Sequence, residues 1–513
     1  MNPAKTKEDF DVVIMGSGLG GLACGTILSK EGFKVCVIEK NEQIGGNLQT
    51  FKREGVKFDT GVHYLGGLDK GQNLHKLFTY LGIMDRLKVQ KMDTAGFDVV
   101  LFKNDSREYP YGMGYENFIR IMAQKFPGEE KAIVEYCNEL RRICNNFPLY
   151  NLRNGDEYLD IEIFSRGTKD FIDSLTHNEK LRSVLAGTNM LYAGSAGKTP
   201  LYIHALVVNS YIESAWRCID GGDQIAKLLA KEIRANGGVI KRGNGVKRIH
   251  IGDEKAEQVE LENGEKISGK NFISNMHPAQ TLEMIDSDKI RPAYRNRVKN
   301  IENTASAFIL YVILKPNRLK YQNRNYYYFD ENNVWKGIDY TKTSWPYTYG
   351  LFECVPQNQK QYVEALAIIS YMHFDEVKQW EKTHNTTLNE HRRGKDYEAF
   401  KALKAEKLLS VVENKFPGIK GDIQSYYSAT PLSYRDYIGT TDGNLYGVAR
   451  SFTNPLTTRI SPRTKIHNLF FTGQNVNLHG VLGVTISAVL TCSMLVGKEY
   501  LINKIALANE EGC

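Results

Sequence analysis

Residues 10–39 read FDVVIMGSGLGGLACGTILSKEGFKVCVIE, and the order of residue types in this stretch decides the fold. Phe10–Met15 is a short apolar run that suits a buried parallel strand. It ends in Gly16-Ser17-Gly18-Leu19-Gly20-Gly21. The small residues from Leu22 to Lys30 read as a helix, and Lys34–Ile38 is a second strand-like run closed by Glu39. Strand, glycine turn, helix, strand, acid is the order that a dinucleotide site requires. Gly16 permits the tight turn, Gly18 lets backbone amides approach a pyrophosphate, and Gly21 allows close packing of helix on strand. The helix N-terminus offers unpaired N–H groups and partial positive charge to the phosphates. Glu39 can accept hydrogen bonds from a ribose diol.

Working outward, Lys40–Gly46 (KNEQIGG) carries the glycine pair Gly45-Gly46, and Phe58–Tyr64 (FDTGVHY) places Gly61 beside a histidine and a tyrosine. Far downstream, residues 237–240 and 246–249 read as short strands, and Asp220-Gly221-Gly222-Asp223 opens an amphipathic helix. Near the end, Asn468–Gln474 (NLFFTGQ) is a strand running into a glycine turn, followed by Gly480, Gly483, Val484 and a helical segment to Leu495.

This set resembles the extended signature of the FAD-dependent amine oxidase and carotenoid desaturase superfamily. The resemblance implies that the chain turns back along FAD at Lys40, Gly45, Gly46 and Gly61, with Ser17 and Gly20 completing the glycine loop. It implies that Val246 packs beside the adenine through its backbone. It also implies that Gly473, Gln474, Gly483 and Val484 border the cofactor from the C-terminal side. Two positions depart from the pattern: Asn47 stands where the signature often carries Arg, and Gln474 where most relatives have an acid.

Four longer phrases narrow the likeness: FDTGVHYLGG (58–67), HALVVNSYIE (204–213), SATPLSYRDYIGTTDGNLYG (428–447) and LFFTGQNVNLHGVLG (469–483). They are similar to the retinol saturase family, also called all-trans-retinol 13,14-reductase, and the likeness runs from Asp9 to about Leu501. It implies an α/β fold with a Rossmann-type FAD domain of the phytoene desaturase kind and an interleaved α+β substrate domain. It implies FAD-dependent reduction of one carbon–carbon double bond in an apolar conjugated polyene or isoprenoid, by hydride transfer from flavin N5. Close relatives desaturate carotenoids or isomerise them without net redox change, so those reactions stay open. A lipid-escort protein of the GDP-dissociation-inhibitor type shares the architecture without flavin. The intact set of Gly16, Gly18, Gly21, Glu39, Gly46 and Gly473 speaks against it.

A proton donor is needed to complete hydride addition to an alkene, and both His and Tyr can serve. His63, Tyr64 and His479 lie in the segments expected near the flavin; Tyr64 and His479 are the candidate acids, with His63 as a candidate orienter. The cofactor motifs assign 1–105, 190–300 and 455–513 to the FAD domain, which leaves 106–189 and 301–454 for the substrate domain. No second glycine fingerprint is present, so electrons must come from a separate donor such as NAD(P)H, a reduced flavin or a ferredoxin.

Composition sets the remaining bounds. The chain has 513 residues, 42% hydrophobic and 24% charged, enough for more than one folding unit with a large core. A net charge of +7 is mild for this size and argues against nucleic acid as a partner. The eight cysteines include no C-x-x-C pair and lie mostly in apolar contexts, which reads as reduced buried thiols with no metal site. The first ten residues carry no apolar signal-peptide core. The longest apolar stretch, Val481–Val496, is shorter than the ~20 residues of a spanning helix. A cytoplasmic protein is expected, with peripheral membrane contact through the basic, aromatic region 315–336.

Overall fold

The computed structural model describes residues 9–155, 161–356, 361–388 and 392–510; Cys513 and residues 1–8 of the N-terminal stretch lie outside them. Two seven-stranded sheets organise the chain. The first is built on the strand Asp9–Met15, which pairs in parallel with Val35–Ile38 on one side and with Lys266–Ser274 on the other. Val239–Lys241 extends it in parallel beyond Val35–Ile38. Lys266–Ser274 carries two neighbours along its free edge. Its first half pairs antiparallel with Ala256–Leu261, and its last three residues pair in parallel with Leu469–Phe471. Val246–Ile251 completes the sheet against Ala256–Leu261.

Successive side chains of a strand point to opposite faces, and both faces here are covered. Val12 and Ile14 enter the large core beneath the helix Leu19–Lys30, whereas Val13 and Met15 enter a second core with Ile38, Phe272 and Leu282. The apolar stretch near the C-terminus is the helix Gly480–Val496, packed on Leu19–Lys30. No helix among the described residues is long and apolar enough to cross a membrane.

The second sheet runs, in spatial order, Ile423–Ala429, Ser306–Leu314, Ala365–Met372, Thr348–Glu353, Asn325–Phe329, Asp98–Phe102 and Tyr109–Tyr111. Every pair in it is antiparallel except Asn325–Phe329 with Asp98–Phe102. Asp98–Phe102 therefore joins this sheet, although the motif positions assign residues up to 105 to the cofactor domain. The aromatic run Tyr326–Phe329 is a central, fully buried strand. Region 315–336 cannot offer these rings to a membrane, which corrects the expectation drawn from composition: aromatic residues gathered here because they fit a pleated, buried surface. From its sequence the charged stretch 376–407 reads as solvated helix; its described residues begin with short 3-10 turns and are α-helical at Lys395–Glu413, where Lys404 is buried in an ion pair with Glu376.

Candidate active site

A cavity of about 620 Å³ opens along the C-terminal ends of the parallel strands and runs to the second sheet. Ligands in open α/β sheets bind at this edge, where the strand order reverses. One half is lined by Gly16, Gly18, Gly20, Glu39, Lys40, Gly45, Gly46, Gly61 and Val246, with Gln474, Gly483 and Val484 opposite. Three of the expected cofactor residues act from behind this wall. Ser17 is buried, and its N–H and hydroxyl donate to Glu39 Oε2 at 3.0 and 2.5 Å. Gly21 lies so close beneath the Gly16 carbonyl oxygen that a Cβ there would overlap it. Gly473, at φ +90°, packs against Gly20, where a Cβ would come within 3.0 Å of the Gly473 Cα.

The remaining geometry fits a dinucleotide. The helix Leu19–Lys30 starts in the cavity wall with no side chain capping its first N–H groups. A Cβ on Gly18 would meet Asn275 Nδ2 at 2.7 Å and push that side chain aside. Asn275, on the turn after Lys266–Ser274, lines the cavity between Gly18, Gly20 and Gly473. The side-chain oxygen of Asn47 is buried without a hydrogen-bond partner at the cavity wall. A buried orphan acceptor of this kind costs about 1–3 kcal/mol unless a ligand satisfies it. Lys40 donates to the Asp436 carbonyl at 2.7 Å, and burial lowers its pKa.

The other half of the cavity is aromatic, lined by Tyr64, Tyr211, Tyr327, Phe352, Tyr371, Tyr434 and Tyr446. Tyr327, Phe352 and Tyr371 come from three adjacent strands of the second sheet. The Tyr64 ring lies 4.4 Å from Tyr211, and His63 stacks on Phe352 at 4.6 Å. The Tyr371 hydroxyl and His63 Nε2 have no hydrogen-bond partner among the described residues.

Electrostatics separate the three candidate catalytic groups. Burial lowers the His63 pKa to about 3 and the His479 pKa to about 4, so both are neutral at pH 7. His479 caps the helix Gly480–Val496, and its Nε2 lies 3.0 Å from the Leu191 carbonyl. A carbonyl only accepts, so the proton of the neutral ring sits on Nε2 and is committed there, leaving Nδ1 bare. No hydrogen bond joins His63 to Tyr64 among the described residues; Asp98 holds Tyr64 instead. Tyr64 donates to Asp98 Oδ2 at 2.8 Å, and its hydroxyl meets that of Tyr327 at 2.7 Å. Burial, then the Asp98 charge, raises the Tyr64 pKa.

A family profile described as flavin containing amine oxidoreductase matches residues 19–390. The chain belongs to this flavin-containing amine oxidoreductase family. FAD is accordingly the cofactor of this chain, and the glycine-lined half of the cavity has the features expected of its site. Within the wider set of relatives, all-trans-retinol 13,14-reductase of Danio rerio is 27% identical over 98% of this chain and 89% of that protein. A chloroplastic prolycopene isomerase of Daucus carota is 25% identical over 94% of this chain and 79% of that protein. Among solved structures, an oxidoreductase from Methanosarcina mazei superposes with a TM-score of 0.63 at 17% identity, over 93% of this chain and 98% of that one. That level of identity supports the shared fold of the family.

Asn275 and Tyr327 line the cavity, and Asp98, Asn325 and Arg217 form a buried hydrogen-bonded set behind Tyr64; no motif singled out these five residues. For four of them a local signal existed. Asp98 opens the apolar strand DVVLF, Asn325 opens NYYYF, Arg217 interrupts AWRC, and Asn275 follows a strand directly.

Proposed function

We propose that the protein reduces one double bond of a conjugated isoprenoid polyene, drawing electrons from a separate donor. The observation that carries this reading is a single cavity whose two halves differ in chemistry. One half is a glycine cradle for FAD, and the other is an apolar aromatic slot with buried hydroxyls in its wall. Flat rings pack well on a flat conjugated chain, and among the described residues the aromatic half of the lining carries no cation or carboxylate suited to an amine substrate. Reduced FAD supplies the hydride. The chain's own residues bind the polyene against Phe352, Tyr211 and Tyr446, exclude water, and furnish the proton that completes the addition. The resemblance to retinol reductases and prolycopene isomerases supports a polyene as substrate.

The test is anaerobic incubation of dithionite-reduced holoprotein with all-trans-retinol or prolycopene, followed by mass spectrometry. A product heavier by two hydrogens is expected. An unchanged mass with altered retention would assign isomerisation instead, a product lighter by two hydrogens from a parallel incubation with oxidised holoprotein and an added electron acceptor would assign desaturation, and no conversion of any polyene would overturn the reading.

Peripheral membrane contact is proposed at a different face from region 315–336. A smaller cavity of about 80 Å³ is flanked by Ile161 and Leu456, which are 53% and 61% exposed. Its inner wall includes Leu206 and Leu478, which also line the main cavity. An apolar substrate could pass from a bilayer through this wall without crossing water. Replacing Leu456 and Ile161 by Asp is expected to abolish co-sedimentation with phospholipid vesicles; unchanged co-sedimentation would place the contact elsewhere.

A further inference from the structure

We propose that Asp98 is the proton store of the site, and that its proton reaches the substrate through Tyr64 and then Tyr327. This rests on the reductive reading above. Asp98 is fully buried and does not itself line the cavity, whereas Tyr64 and Tyr327 do. The three groups form an unbroken chain: Asp98 Oδ2 to the Tyr64 hydroxyl at 2.8 Å, and that hydroxyl to the Tyr327 hydroxyl at 2.7 Å.

The far end of the chain is fixed by an arginine. Arg217, 2% exposed, donates to Asn325 Oδ1 at 2.8 Å and to the carbonyls of Glu353 and Arg324 at 2.7 and 2.6 Å. A guanidinium only donates, so the Asn325 oxygen must face Arg217 and its amide nitrogen must face Asp98. Asn325 Nδ2 accordingly donates to Asp98 Oδ1 at 2.7 Å. With Oδ1 occupied by a donor, a proton carried by Asp98 sits on Oδ2, against Tyr64. The parallel register that sets Asp98 beside Asn325 fixes this pairing.

Two states of the chain follow. When Asp98 is protonated, it donates to Tyr64, Tyr64 donates to Tyr327, and the Tyr327 hydroxyl points its proton into the cavity. When Asp98 is ionised, each hydroxyl turns inward. One turnover converts the first state into the second. Tyr327 gives its proton to the alkene carbon next to the one that receives hydride, Tyr64 reprotonates Tyr327, and Asp98 reprotonates Tyr64. The double bond gains one hydride and one proton, and Asp98 is left as a carboxylate that is recharged through the same chain when water refills the cavity. The tyrosines alone could not hold this proton surplus, because burial disfavours a tyrosinate.

Charge around the carboxyl suits the role. Burial pushes the Asp98 pKa up to about 7, against the hydrogen bonds from Asn325 and Tyr64 and the Arg217 charge. The other titratable groups facing it are Tyr327, Tyr111 and Tyr211, all neutral near pH 7. The store is loaded below that pH and emptied above it, so polyene reduction should fall as pH rises through about 7.

Two measurements on the holoprotein test this. The first is infrared difference titration. Burial raises Asp59 to about 7 as well, so a protonated-carboxyl band that titrates through neutrality is expected to lose one component in Asp98→Asn and to keep that component in Asp59→Asn. The second is stopped-flow reoxidation of reduced enzyme by a polyene. Tyr327→Phe should leave FAD binding intact and slow reoxidation by ~10²–10⁴-fold. Asp98→Asn should be slow at every pH with no descending limb, and Asp98→Glu should restore it. Wild-type reoxidation by Tyr327→Phe, or a titrating carboxyl band that is the same in Asp98→Asn as in the wild type, overturns the relay. Should Asp98→Asn fail to fold, the titrating band that remains in Asp59→Asn and the rate of Tyr327→Phe still decide. A wild type that converts no polyene sinks the reductive reading and the delivery step, while the infrared titration judges the store independently.

Discussion

Replacing Gly21 by alanine is expected to give a chain that no longer co-purifies with flavin. A Cβ at this position would lie inside the van der Waals envelope of the Gly16 carbonyl oxygen, and within 3.3 Å of the Ile14 side chain. The carbonyl cannot rotate away, because Gly16 sits at φ +94° and its N–H donates to the Ile38 carbonyl at 2.8 Å. Relief requires lifting the N-terminal turn of Leu19–Lys30 off the sheet. That displaces the amides offered to the phosphates and loosens packing against Gly480–Val496 and Asp223–Ala235. Overpacking of this kind costs ~1–3 kcal/mol where neighbours can yield, and here the neighbour is backbone. Loss of the flavin absorbance and a lower apparent Tm are both expected. A yellow Gly21→Ala protein with wild-type Tm would show that the helix is not seated as described.

Glu39→Ala should weaken FAD binding by ~10²-fold or more, measured by titrating apoprotein with FAD and following flavin fluorescence. A single charge-assisted hydrogen bond to ribose contributes about 1.5–3 kcal/mol, or roughly 10–150-fold. The structure adds to this. The same carboxylate accepts from Ser17 N–H, the Ser17 hydroxyl and Asn41 N–H at 3.0, 2.5 and 2.9 Å. Alanine therefore removes the ribose acceptor and also strands two buried N–H groups, one of them in the phosphate loop. Glu39→Gln, which keeps an acceptor oxygen, should lose less than alanine. Equal affinities of Glu39→Ala and the wild type would mean that Glu39 serves only the loop's own structure and that the loop tolerates its loss.

The two variants probe the part of the molecule that short-range sequence made readable. Within residues 9–39 the strand, turn, helix and acid are neighbours along the chain, so periodicity and glycine spacing alone report them. The relay had no such signature. Asp98 and Asn325 are separated by 227 positions, and only the pairing of two strands that each read as ordinary core brings them together. Aromatic composition misled for a related reason: Tyr326–Phe329 carries the same residues whether a strand faces lipid or is sandwiched in a sheet. His479 was visible as a residue near the flavin, but the direction of its proton depends on Leu191, which no local pattern connects to it.

The strand Lys266–Ser274 gives the molecule a defined order of completion. Its outer edge is divided between a hairpin partner that immediately precedes it and Leu469–Phe471, which arrives about two hundred residues later. The cradle that begins at Gly16 is closed only by that late strand and the helix after it. During synthesis the glycine loop at Gly16 therefore emerges long before its counterpart at Gly473. Domains otherwise fold as they emerge. Here flavin capture is deferred until that late strand has emerged, and a chain terminated before it is left without a working cofactor site.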